Sequence, residues 1–202
     1  MARCYSDAVS KRYPPFPSLW PCPLIWLVSD ARNDAALEAA LDRLPRGSGL
    51  VFRHYHLSPQ DRRARFNAVW KVAKRRGHTI FLAADARTAR AWRADGAYGS
   101  AQVLASGPAL PRLVTAHSVR EMHAARADAF VLSPVFATRS HPGSTALGPV
   151  RFRLMSRNAP GPVIALGGMT AKRAAALGSR RWAAIDGLSS MPGPRILDEE
   201  SP

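Results

Sequence analysis

Short runs of apolar residues recur along this chain, separated by segments whose apolar positions repeat with a helical period. Residues 24–28 read Leu-Ile-Trp-Leu-Val, a continuous apolar run of the kind shown by a strand buried on both faces. Residues 49–57, 79–83, 95–98, 113–116, 130–132, 163–166 and 182–185 predict seven further short strands. Helical segments lie between them. The first is capped by Asn33 or Asp34 and runs to about Leu44. A basic helix covers 59–76, with Ser58 as N-cap and Pro59 in the first turn, where its missing N–H costs nothing. Others cover 86–93, a segment from Ser118 with Glu121 three residues on as a capping box, 150–157, and a segment from Thr170 to about Leu177. The stretch after the fourth strand is broken by glycine and proline, and nothing helical is predicted after the eighth.

Repeated strand–helix units predict a parallel sheet, and eight of them in about 165 residues predict a compact (β/α)8 TIM barrel without its last helix. An open doubly wound sheet is the alternative, but no Gly-rich dinucleotide fingerprint follows the first strand. The barrel domain spans 24–188. Residues 1–23 carry Pro14, Pro15, Pro17, Pro21 and Pro23 and read as an extended arm. Residues 189–202, with Pro192, Gly193, Pro194 and the acidic Asp198-Glu199-Glu200, read as an irregular tail. The arm is expected to cover the side left open by the missing last helix.

Composition is that of an ordinary globular chain: 202 residues, 47% hydrophobic and 21% charged, which excludes disorder throughout. Cys4 and Cys22 both lie near the N-terminus and read as free thiols in a reducing compartment. No apolar run reaches the roughly 18 residues of a membrane helix, and 24–28 is too short for a signal-peptide core, so a cytoplasmic location is expected. The net charge of +15 is the unusual number. It invites a polyanionic partner: nucleic acid, a phosphorylated ligand or an anionic membrane. Only Lys11, Lys71, Lys74 and Lys172 are lysines, and the arginine skew in an alanine-rich chain fits a GC-rich coding bias instead. The cations are scattered, with small clusters at Arg62-Arg63-Ala64-Arg65 and Lys74-Arg75-Arg76 and no interleaved aromatics, so neither nucleic acid nor membrane is the expected partner.

A barrel of this kind works at the C-terminal ends of its strands. On the second strand, alternation puts Val51, Arg53 and Tyr55 on one face, with Arg53 and Tyr55 at the mouth. His54 and His56 share the other face with Phe52 and point away from it, which argues against a metal site there. Asp85 after the third strand is either a Mg2+ ligand or the N-cap of the following helix. Thr115 ends the fifth strand. The sixth is followed by a long loop, Ser133-Pro134-Val135-Phe136-Ala137-Thr138-Arg139-Ser140-His141-Pro142-Gly143, whose hydroxyls and cations suit an anion. After the seventh strand, Gly167-Gly168-Met169-Thr170 lets the backbone approach a phosphate at the customary phosphate position of such barrels.

These segments resemble the thiamine phosphate synthase / TenI family from about Leu24 to Leu188. Thr115-Ala116-His117-Ser118 resembles its Ser-x-His segment, residues 133–142 its Gly-Pro-Val-Phe-x-Thr-x-Thr-Lys loop, and residues 163–170 its phosphate strand. Trp26-Leu27-Val28-Ser29-Asp30 is similar to its opening strand. The resemblance implies a transferase that joins a pyrimidine methyl diphosphate to a thiazole phosphate with release of diphosphate, using Mg2+. It assigns the strand-two arginine to Arg53, the first Mg2+ aspartate to Asp85, and a phosphate-binding serine to Thr115. Thr138 and Ser140 take the two loop threonines, His141 the loop lysine with Arg139 supplying charge, and Gly167 and Gly168 the phosphate glycines. Several family positions differ here: Val51 and Tyr55 replace a glutamine and a lysine, Ala84 an asparagine and Asp186 a serine, and the histidine that the family's other activity, thiazole tautomerisation, uses after the sixth strand's glycine is Pro134 here. The strand-four segment, Tyr98-Gly99-Ser100-Ala101-Gln102-Val103, lacks the second Mg2+ carboxylate. The resemblance therefore implies the synthase reaction, with Arg53, Ser140 and His141 in catalytic positions. The alternative is a re-purposed barrel that binds a phosphorylated small molecule without that reaction.

Overall fold

Strands buried on both faces need mostly apolar residues, and this chain supplies them in eight short pieces. The computed structural model describes residues 20–140, 143 and 145–189. Its strands are β1 (Ile25–Val28), β2 (Gly49–Phe52), β3 (Thr79–Ala83), β4 (Gly96–Ser100), β5 (Arg112–Ala116), β6 (Ala129–Leu132), β7 (Val163–Ala165) and β8 (Trp182–Ala184). They pair in chain order, all parallel, and β1 pairs with β8 to close the barrel. The helices are α1 (Leu37–Arg43), α2 (Pro59–Arg75), α3 (Ala86–Ala91), α4 (Val119–Ala124), α5 (Gly148–Arg157), α6 (Ala171–Leu177) and α7 (Asp186–Ser189). Among the described residues no helix is long and apolar enough to cross a membrane.

Inward-facing residues fill the barrel. Trp26 and Phe81 meet edge-on, with ring centroids 5.2 Å apart at 86°. Each ring occupies space that its neighbouring strand leaves by carrying glycine. Trp26 stands beside Gly49 and Phe81 beside Gly96, and a Cβ on either glycine would lie 2.3 Å or 2.2 Å from the ring. Outward-facing residues such as Leu27, Leu50, Phe52, Ile80 and Leu82 pack against the helices. On α2, Phe66, Val69 and Ala73 form the buried stripe, while Ser58 caps the first turn by accepting from Asp61 N at 3.1 Å.

Three local expectations change. The cap after β1 is Asp30, not Asn33 or Asp34. Its side chain accepts from Arg32 N, and Asn33 Oδ1 accepts from Asp30 N at 2.8 Å, so a 3-10 turn, Ala31–Ala36, precedes α1. β2 stops at Phe52, because His54 turns at φ 41° into a buried hydrogen-bond network. The short helix α7 does follow β8. Most of the proline-rich arm lies outside the described residues. Its described end packs against the barrel interior, with Trp20 5.0 Å from the Phe81 ring and Cys22 nearby, beside Arg181 just before β8. Burial pushes the Cys22 thiol up to about 11, with Arg181 pulling the other way.

Between β4 and β5 no helix forms. Residues 101–111 cross the barrel wall as turns, held by buried Arg112, whose Nη2 donates to the carbonyls of Ser106, Gly107 and Pro108 at 3.3–3.4 Å. The basic face of α2 also turns inward. Arg62 donates to the Arg53 and Ala83 carbonyls, Arg63 lies over Trp92, Lys74 reaches Asp95, and Arg65 binds Asp34 and Glu38. These cations serve the fold as well as facing solvent.

Candidate functional site

A cavity of about 300 Å³ opens at the C-terminal ends of β6, β7 and β8, and Arg53, beyond the end of β2, forms its far edge. Backbone pairing builds its floor. Val135 N donates to Leu166 O at 2.8 Å and Phe136 N to Gly167 O at 3.1 Å, so the loops after β6 and β7 run side by side. Glycine is required where they touch. A Cβ on Gly167 would lie 2.6 Å from Pro134 Cα, and one on Gly168, at φ +61°, 2.5 Å from Ala137 O. Thr170 caps α6 by accepting from Arg173 N at 3.2 Å. The Arg173 guanidinium donates to Gly168 O and lies 4.9 Å from the Phe136 ring centroid.

The cavity is framed by cations. Arg53, Arg139 and Arg173 line it with Thr138, Ser140 and Asp186. Arg32, from the turn after β1, reaches in to donate to Ser140 Oγ at 2.8 Å and to Asp186 Oδ2 at 3.3 Å. Arg139 donates to the same Asp186 oxygen at 3.2 Å. Behind Arg32 and Arg53 stands Asp30, 3.1 Å and 3.8 Å from their guanidinium nitrogens. Burial alone would raise the Asp30 carboxyl, but hydrogen bonds from Arg32 and the charges of Arg32 and Arg53 hold it below the usual carboxylate range.

Arg53 is positioned by its backbone. Its N–H donates to Ser29 Oγ at 2.8 Å. Ser29 therefore gives its own hydrogen to His54 Nδ1 at 2.8 Å, and His54 Nε2 donates to Asp34 Oδ1 at 2.7 Å. Burial holds His54 below the ordinary imidazole range, in keeping with this neutral tautomer. The chain Ser29–His54–Asp34 has the residue types of a hydrolytic triad, but the serine and histidine are fully buried, so no substrate reaches the hydroxyl. Its work is to anchor the residue that carries Arg53.

The remaining predicted site residues lie elsewhere. Asp85 caps α3: it accepts from Arg87 N at 2.9 Å, Thr88 N at 3.0 Å and Thr88 Oγ1 at 2.7 Å, and the Thr88 bonds hold its carboxyl low. Among the described residues no group of three or more His, Cys, Asp or Glu is gathered, and both Asp85 oxygens are engaged at the start of α3. Thr115 donates to Gly99 O at 3.3 Å and does not line the cavity. Tyr98 fills the barrel interior below the mouth, its hydroxyl pushed up to about 12 by burial. Tyr55 is exposed, with the Arg62 guanidinium 5.2 Å from its ring centroid. His141 lies outside the described residues. Sequence reasoning did not single out Arg32 or Arg173. Arg173 sits three residues after the Thr170 cap, a spacing that returns its side chain to the loop before the helix. Arg32 carries no local signal, since its role depends on reaching across strand ends.

A family model described as thiamine monophosphate synthase matches residues 25–188. No curated protein matches the chain. Solved structures share its fold. Thiamine phosphate pyrophosphorylase from Pyrococcus furiosus is 18% identical, with a TM-score of 0.69 over 84% of this chain and 88% of that one. The protein of the same name from Bacteroides thetaiotaomicron is 15% identical, with a TM-score of 0.55 over 81% and 82%. An aldolase from Escherichia coli K12, 6% identical with a TM-score of 0.56 over 81% and 74%, is also similar. At these identities the structural likeness speaks for the barrel alone.

Proposed function

The chain belongs to the thiamine monophosphate synthase family, and from that premise we propose that its cleft binds the phosphate of a small phosphorylated heterocycle of the thiazole phosphate type. The carrying observation is the convergence of Gly167, Gly168, Thr138, Ser140, Arg139 and Arg173 on one cavity. The two adjacent glycines let the β7 loop press against the β6 loop, which brings their main chain to the cavity wall, where backbone groups come within reach of phosphate oxygens. Hydroxyls add hydrogen bonds and the guanidiniums add charge. The half of the mouth over β3 to β5 contributes no lining residue to this cavity, and Asp85 there is spent on α3. In this reading the barrel keeps the phosphate-holding half of its family's site and does not carry out the diphosphate half of the reaction.

The synthase reaction is the second reading, favoured by Arg53 on the edge of the same cavity. In it the thiazole nitrogen forms a C–N bond to the pyrimidine methylene carbon as that carbon's bond to diphosphate breaks. Arg53 and Arg139 then supply the charge that stabilises the departing group. One experiment separates the two. The full chain is titrated with thiazole phosphate in a calorimeter and then incubated with both substrates, with and without Mg2+. Binding that Gly168→Asp abolishes, with no thiamine phosphate formed, supports the first reading. Product formation that Arg53→Gln suppresses supports the second. No binding of thiazole phosphate or of inorganic phosphate refutes both.

A further inference from the structure

We propose that Asp186 is a built-in anion that occupies Arg32 and Arg139 until a ligand phosphate displaces it. This rests on reading the cleft as a phosphate site, and it names how that site is regulated. Asp186 lies two residues beyond the end of β8, at the start of α7, and lines the cavity together with Gly167 and Gly168. The next residue, Gly187, is seated so closely on the β7 loop that a Cβ there would lie 2.4 Å from Met169 O. The carboxylate is thereby fixed beside the glycine loop. One oxygen, Oδ2, takes both guanidiniums, Arg32 at 3.3 Å and Arg139 at 3.2 Å.

Those two arginines come from different strand ends. Arg32 follows β1, and Arg139 lies in the loop after β6 beside Ser140, which Arg32 also holds. A single carboxylate thus draws three strand ends together across the mouth. The contacts are weak enough to exchange. The Arg139 side chain is 81% exposed and that of Asp186 42%, and a solvent-exposed pair of this kind shifts an equilibrium by no more than about fivefold. A phosphate dianion carries more charge and more acceptor oxygens than a carboxylate, so it outcompetes Asp186 for the same donors. The aspartate lowers affinity for phosphates in general while keeping the arginines paired and the loop in place when the cleft is empty.

The test is calorimetric titration of the full chain with inorganic phosphate at low salt, for the wild type, Asp186→Asn, an Arg32→Gln/Arg139→Gln variant, and the triple combination. Asp186→Asn is expected to bind phosphate about threefold to tenfold more tightly than the wild type. In the background lacking both arginines the same change is expected to give little gain, because there are no guanidiniums to release. That contrast separates displacement from the general effect of removing one negative charge. Unchanged or weaker binding by Asp186→Asn, or a gain that persists without the arginines, overturns the proposal while leaving the phosphate site intact. Phosphate binding by Asp186→Asn alone, with none by the wild type, overturns displacement, because phosphate then does not outcompete the carboxylate. Absence of binding by every variant overturns the phosphate site and this inference with it.

Discussion

Replacing Gly168 by alanine measures how tightly the loops after β6 and β7 are pressed together. Two costs arise. At φ +61° an L residue pays on the order of 1–2 kcal/mol for the left-handed conformation. The added Cβ then lies 2.5 Å from Ala137 O and 3.0 Å from Phe136 Cβ. The first of these is backbone, held by the neighbouring ladder, so relief requires the β6 loop to shift. Overpacking of that kind costs about 1–3 kcal/mol. The sum is about 2–5 kcal/mol. At roughly 2–4 °C per kcal/mol for a domain of this size, the thermal midpoint drops by at least about 4 °C. Gly47 supplies the control. It has φ +77° with nothing within 4 Å of an added Cβ, so Gly47→Ala carries the conformational cost alone. Melting curves by circular dichroism give the difference between the two variants, and phosphate titration gives the effect on the cleft. If Gly168→Ala melts no lower than Gly47→Ala and binds phosphate as the wild type does, the close approach of the two loops is wrong.

Two further expectations follow from named bonds. Asp85→Ala removes the cap of α3 and is expected to cost about 1 kcal/mol in a denaturant melt, with phosphate affinity unchanged and no Mg2+-dependent shift of the wild-type midpoint; a midpoint raised by millimolar Mg2+ and lost in the variant contradicts this. Burial holds the imidazoles of His54 and His78 below their ordinary range, so as the pH falls below about 6.5 the unfolded chain binds protons that the folded barrel refuses. Stability is whole above that pH and declines beneath it, and the midpoint is expected to fall between pH 7.5 and 5.5, less steeply in His54→Gln; equal slopes for the two proteins count against a buried neutral His54.

The barrel was legible because strands covered on both sides are largely apolar, and runs such as 24–28 and 80–83 announce that without help from distant residues. What was not legible depends on distant partners. Residues 53–57 alternate like a strand, yet His54 leaves the sheet to bond Ser29 and Asp34, respectively 25 and 20 positions away. Asn33 looks like a cap, but it serves as the third residue of a cap begun by Asp30. At the site, Gly167, Gly168, Thr138 and Ser140 stand out through local composition, because loops that must touch need glycine and hydroxyl groups. Arg32 does not stand out, because nothing near it in sequence says that it will reach Ser140, 108 positions later. Asp85 leaves cap and ligand open in sequence; its three bonds to the start of α3 show how its oxygens are used.

The pairing of Trp26 with Gly49 and of Phe81 with Gly96 also bears on how the chain finds its alignment. Parallel strands can slide by two residues and still present the same faces, so patterning alone does not penalise the error. Here it is penalised sterically. Moving β2 by two residues against β1 would bring Val51 to the place of Gly49, driving a branched side chain into the indole. Moving β4 against β3 in the same sense would bring Tyr98 onto the Phe81 ring. Each aromatic–glycine pair is a key cut for one position, one holding β1 against β2 and the other β3 against β4.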